Sequence, residues 1–176
     1  MKERSDRLEE ACKLLKTLFM AEDLVDFDGK YYQLHQAPFA PKSVQQPHPP
    51  IMVGGWGEKR TLRTLAMYGD IMNIMDGPEE MTRLSGVLER HCETVGRDPA
   101  EIRKTVHVPM RIERNEKKAA ELRGGKDWNM IGPPQYIIDR AQDFINVGVD
   151  EFKFASIPNN PEVYTELDEE VLSAFD

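Results

Sequence analysis

The chain has 176 residues, 40% of them apolar and 31% charged, a balance that buries a core and excludes a disordered or collagen-like chain. Its 23 Lys and Arg against 31 Asp and Glu give a net charge of −8, and no basic run offers itself to a phosphate backbone, which argues against a nucleic-acid partner. No apolar stretch approaches the roughly 20 residues that span a bilayer and no signal-peptide pattern opens the chain, so the expectation is one soluble, cytoplasmic domain over residues 1–176.

Residues 1–36 read as a helix and a hairpin. Leu8, Ala11, Cys12, Leu15, Leu18 and Phe19 share one face at helical spacing, with Ser5 as the expected N-cap. Two short apolar runs then flank Asp28-Gly29, where a positive φ at the glycine would suit a tight turn. Residues 37–50 carry five prolines, Pro38, Pro41, Pro47, Pro49 and Pro50, and predict an extended connector.

From residue 51 onward four short apolar runs alternate with amphipathic segments. The runs are Ile51-Met52-Val53, Ile71 to Met75, Thr105 to Met110 and Phe152 to Ala155. Helices are predicted from about Glu58 to Tyr68, from Met81 to Val95, from Pro134 to Val147 and from Glu162 to Phe175, with Gly96 and Gly148 as stops. Parallel strands need a crossover helix, so this order predicts an α/β fold of parallel strand-helix repeats. Between Asn115 and Met130 a short run of helix formers, Glu116 to Leu122, meets Gly124-Gly125 and an unpatterned Lys126 to Asn129, and the stretch is expected to form a loop.

In such folds ligands bind beyond the carboxyl ends of the strands. The strongest candidate there is Gly54-Gly55-Trp56-Gly57, because glycines between a strand and a helix admit an anion to the N–H groups of the first helical turn. Read alone, the same glycines also serve a tight strand-to-helix turn. Lys59, Arg60 and Thr61 add cations and a hydroxyl, but the spacing is neither that of a dinucleotide fingerprint nor that of a P-loop. Asn73 ends the second run and could bond a ligand edge. His107 alternates with Val106 and Val108 and faces away from them, and Lys153 does the same between Phe152 and Phe154. Neither carries an assignable role. Ser156 follows the fourth run without a paired base. Cys12 and Cys92 read as buried hydrophobes, and no His or Cys spacing implies a metal.

Longer stretches carry a family likeness: Phe27-Asp28-Gly29-Lys30-Tyr31-Tyr32, then Pro49 to Arg63, Gly69-Asp70-Ile71-Met72-Asn73, His91 to Ile102, Gly132-Pro133-Pro134-Gln135 and Val147 to Phe152. Together they resemble the C-terminal half of the bacterial luciferase-like monooxygenases, especially their deazaflavin-dependent oxidoreductase branch. The resemblance implies strands five to eight of a (β/α)8 TIM barrel, preceded by a small hairpin, in a chain shorter than the roughly 200 residues a whole barrel needs. It implies FMN or the deazaflavin coenzyme F420 as cofactor, held through its phosphate by Gly54, Gly55, Trp56 and Gly57 with Arg60 contributing, and Asn73, at its strand end, is counted with them as a cofactor-binding residue. Two departures from the family pattern stand out: Asp70-Ile71-Met72-Asn73 replaces an acidic-Gly-Trp-Asn run, and Gly132-Pro133-Pro134 replaces Gly-Thr-Pro.

Hydride transfer or oxygen activation on a small-molecule substrate is the implied chemistry, carried by the flavin ring. The resemblance names no catalytic residue in this half. A half-barrel leaves strand edges uncovered, so a second copy or a separate N-terminal half-barrel chain is the expected partner. The alternative is a non-catalytic truncated half-barrel that binds the cofactor phosphate weakly or not at all.

Overall fold

Amphipathic helices alternating with short Val-, Ile- and Met-rich runs give the element order of the computed structural model, which describes residues 2–175. Helix α1 (Lys2–Met20) leads into β1 (Val25–Asp28) and β2 (Gln33–Ala37), an antiparallel pair. Then come β3 (Met52–Gly54), α2 (Thr61–Tyr68), β4 (Ile71–Ile74), α3 (Pro78–Val95), β5 (Arg103–Ile112), α4 (Glu116–Arg123), β6 (Met130–Gly132), α5 (Pro134–Asn146), β7 (Glu151–Ala155) and α6 (Pro161–Glu170). Single 3-10 turns lie at Pro99–Glu101 and Leu172–Phe175.

The second sheet has the order β3-β4-β5-β6, with β7 also paired to β5. Strand β5 serves two parallel partners along its length: Thr105 to Pro109 face Glu151 to Ala155, and Met110 to Ile112 face Met130 to Gly132. The fold is therefore α/β with parallel strand-helix units, and the four predicted strands are β3, β4, β5 and β7.

The chain forms two compact units, one from the residues up to Met72 with Leu84–Arg103, the other from Asn73–Arg83 with the residues from Lys104 on. In the first, α1 packs along α2, burying Cys12, Leu62 and Leu65, and two ion pairs lace the helices, Asp6 with Arg60 and Glu9 with Arg63. Asp70 ties down the strand starts. Its Oδ2 accepts from Ile51 N at 2.8 Å, and its carbonyl accepts from Arg103 N at 3.1 Å. Arg97 closes the far end of α2, with Nη1 donating to the Gly69 carbonyl at 2.6 Å and lying 3.3 Å from that of Ala66, carbonyls left without helical partners.

In the second unit the alternation along β5 buries Val106, Val108 and Met110 on one face. Helix α5 supplies Ile137, Ala141 and Phe144, spaced four and three residues apart and all buried. Phe152 meets Phe144 edge-on at 6.0 Å, and Phe154 stacks on Phe152 at 5.7 Å.

Four local expectations need correction. Ser5 lies inside α1, which already begins by Lys2, and so caps nothing. Gly29 has no positive φ. It is small because a Cβ there would run into the Glu10 carboxylate, which accepts from Tyr31 N at 2.7 Å and Tyr32 N at 2.8 Å and so shapes the hairpin turn from outside. Residues 115–130 are not a plain loop: α4 forms there, N-capped by Asn115, whose Oδ1 accepts from Lys118 N at 3.1 Å, and ended by left-handed Gly124, and β6 begins at Met130. The last helix stops at Glu170 and a 3-10 turn follows. Among the described residues no helix is long and apolar enough to cross a membrane, and no group of His, Cys, Asp and Glu is placed to hold a metal.

Candidate functional site

The loop from β3 to α2 is made by its glycines. Gly55 has φ +128°, a conformation that side chains with a Cβ rarely adopt, and it turns the chain out of the strand. Gly57 lies so close to the Thr61 side chain that a Cβ would overlap the hydroxyl. Its carbonyl accepts from Leu62 N at 3.0 Å and Arg60 N at 3.3 Å, which sets the pitch of the first turn of α2. No side chain caps that turn; Arg60 occupies the N-cap position. The Gly57 carbonyl thus takes the N–H groups of Arg60 and Leu62, and what the turn still offers an anion is the N–H groups of Thr61 and Arg63 and the positive end of a helix dipole.

Trp56 is 47% exposed, and Gly54, Gly57 and Lys59 are exposed beside it. The structure thus brings Gly54, Gly55, Trp56, Gly57 and Arg60 together in one loop and turn. Arg60 is turned away from that role: its guanidinium pairs with Asp6 and reaches the Lys2 carbonyl at 3.4 Å, both on α1. Sequence reading missed Asp6 as its partner, because nothing short-range links residues so far apart.

It also missed His91 on α3, whose Nε2 lies 2.7 Å from the Glu58 carbonyl; a carbonyl only accepts, so Nε2 carries the proton and tethers the loop. His48, in the Pro-rich connector, is buried, donates from Nδ1 to the Pro49 carbonyl at 2.9 Å and stacks on Phe19.

Asn73 belongs to the second unit. Its Oδ1 accepts from Thr105 Oγ1 at 2.9 Å, which fixes the orientation of the amide. His107 and Lys153 are opposite one another in the β5–β7 register, half-buried, and Lys153 pairs with Glu151. Burial pushes the thiols of Cys12 and Cys92 above their ordinary pKa, so both stay protonated at neutral pH, as buried hydrophobes do.

No curated protein matches the chain by sequence. Among solved structures, an F420-dependent secondary alcohol dehydrogenase with an F420-acetone adduct superposes with a TM-score of 0.83 at 18% identity, over 100% of this chain and 63% of that one. The coenzyme F420 dependent tetrahydromethanopterin reductase of Methanopyrus kandleri gives 0.77 at 17% identity, over 96% and 64%. A riboflavin lyase with modified FMN and riboflavin gives 0.76 at 12% identity, over 98% and 57%. At these identities the likeness establishes the fold, and the chain spans less than two thirds of each of these proteins. That coverage agrees with half of a (β/α)8 barrel. The luciferase-like monooxygenase profile matches residues 1–130, most of the length, and the chain therefore belongs to the luciferase-like monooxygenase family.

Proposed function

We propose that this chain is the cofactor-phosphate half of a flavin- or deazaflavin-dependent oxidoreductase, with Gly54, Gly55, Trp56 and Gly57 cradling the phosphate of FMN or F420. The observation that carries the reading is Gly55 at φ +128° in the loop that leads from β3 into α2, whose first turn has no side-chain cap. The backbone fits the group: the loop needs glycine at Gly55 for its own path, and it joins the end of β3 to the N-terminus of α2. Fold neighbours that are F420-dependent or hold modified FMN support the cofactor class.

In this reading the loop binds and orients the phosphate, His91 holds the loop through the Glu58 carbonyl, and Arg60 joins only when it leaves Asp6. Asn73, its oxygen held by Thr105, keeps its amide N–H groups to offer to a ligand edge. The bound cofactor supplies the redox chemistry, by accepting or donating a hydride. The chain works as one part of an assembled barrel, with a second copy or an N-terminal half-barrel chain as partner.

A second reading, a non-catalytic truncated half-barrel, draws on one observation: the arginine at the head of α2 is already neutralised by Asp6. Fluorescence titration with FMN and, separately, with F420 separates the two. Saturable binding of either supports the cofactor reading, and absence of both overturns it.

A further inference from the structure

Helix α2 is short, eight residues or about 12 Å, and one stretch of chain, from the last turns of α3 to the 3-10 turn after it, holds both of its ends. At the head, His91 Nε2 donates to the Glu58 carbonyl at 2.7 Å, in the loop that leads into α2. At the tail, Arg97 Nη1 donates to the Gly69 carbonyl at 2.6 Å and lies 3.4 Å and 3.3 Å from those of Leu65 and Ala66. The chain between the two ties is itself fixed. Arg97 N bonds back to the Cys92 carbonyl at 3.0 Å, the Cys92 side chain is fully buried, and Asp98 caps the 3-10 turn by accepting from Ala100 N at 2.9 Å. Arg97 also lies 3.6 Å from the Asp70 carboxylate and 3.1 Å from that of Glu101. His91 and Arg97 thus form the two arms of one clamp.

The arms act on different parts of α2. A tie on the Glu58 carbonyl restrains the turn in which the Gly57 carbonyl takes the N–H groups of Arg60 and Leu62, and from which those of Thr61 and Arg63 face a ligand. A tie on the carbonyls of Leu65, Ala66 and Gly69 satisfies acceptors at the far end and reaches none of those N–H groups. Donors ordered in advance bind an anion without the entropy cost of ordering them first, so a lost head tie weakens binding even where the fold is intact.

We propose that His91 is a positioning residue for phosphate binding, fixing Glu58 so that the first-turn N–H groups keep one orientation, while Arg97 secures the far end of α2 and takes no part in the phosphate. The inference rests on the phosphate-cradle reading of the glycine loop and assigns it a residue outside that loop. His91 is half-buried, so replacing it opens no cavity in the core.

The chain is compared as wild type, His91→Phe, His91→Gln and Arg97→Met, each verified as folded by circular dichroism. Amide hydrogen exchange without ligand reads the ties alone. His91→Phe should speed exchange at Arg60 and Leu62 by at least about fivefold and leave Gly69 unchanged, and Arg97→Met should do the reverse. Titration with FMN and with riboflavin reads the consequence. His91→Phe should weaken FMN about threefold to tenfold and riboflavin not at all, and His91→Gln, whose amide can donate to the same carbonyl, should recover most of the loss. Arg97→Met should keep the ratio of the two affinities; should it not fold, the comparison of His91→Phe with His91→Gln carries the test. A wild type that binds no FMN overturns the cradle and this role together, whereas altered exchange with unchanged FMN affinity in His91→Phe overturns the positioning role alone. Unchanged exchange at Arg60 and Leu62, an FMN loss matched by riboflavin, or an equal change of the ratio in Arg97→Met also overturns it.

Discussion

Arg60, at the head of α2, forms an ion pair with Asp6 of α1, so the arginine beside the glycine loop is held by a carboxylate rather than left open to a ligand. Removing that carboxylate's charge frees the guanidinium and lifts a negative charge from beside the loop. Asp6→Asn should therefore tighten FMN binding about threefold to tenfold, and Arg60→Met in the same chain should cancel the gain. Titration of the single and double variants checks this; an unchanged affinity in Asp6→Asn removes Arg60 from the site.

Gly55 at φ +128° predicts a double effect of Gly55→Val. A β-branched residue is strained there by about 1–3 kcal/mol, measurable as a lower urea midpoint, and the displaced loop should lose FMN by about tenfold or more. Loss of stability with intact binding would assign the glycine to chain turning alone.

Glu10 gives a pH dependence. Burial raises its pKa, but hydrogen bonds from the N–H groups of Tyr31, Tyr32 and Lys30 outweigh this and hold the carboxyl below the usual range. A carboxyl depressed on folding contributes stability that is full above its unfolded pKa, near 4.3, and is lost as pH falls through the folded value. Acid unfolding should therefore begin below about pH 4.3, and Glu10→Gln should be less stable than wild type at pH 7 but lose less between pH 5 and pH 3. Parallel acid titrations followed by circular dichroism test this; identical slopes would detach Glu10 from the hairpin.

Arg97→Met should cost about 2 kcal/mol, because it strips the Gly69 and Ala66 carbonyls of a charged donor where little water can replace it. Denaturant unfolding measures the loss. A change under about 0.5 kcal/mol, as expected at an ordinary surface position, would mean that solvent satisfies these carbonyls.

Much of the second half was legible because its strands are apolar runs and its helices periodic. The Ile137, Ala141 and Phe144 stripe of α5 and the alternation of Val106, His107 and Val108 need no long-range information. Helix α4 escaped because it buries only Ala119 and Arg123, yet its caps, Asn115 and Gly124, were visible. Strand β6 escaped because three residues carry no period. At the candidate site, Gly55 announced its backbone path, whereas the Arg60–Asp6 pair and the His91 tether join residues separated by whole elements, and no spacing rule reaches that far. Asp70 and Arg97 stood within motifs of the family likeness, but their work at the strand starts and the end of α2 follows only from the folded chain.

The phosphate cradle is tested most directly by comparing FMN with riboflavin, which differ only in the phosphate, on wild type and Gly55→Val. The cradle predicts that wild type prefers FMN by about tenfold or more and that Gly55→Val removes the preference. Equal affinity for the two ligands in wild type, or an FMN preference that survives the substitution, would contradict it.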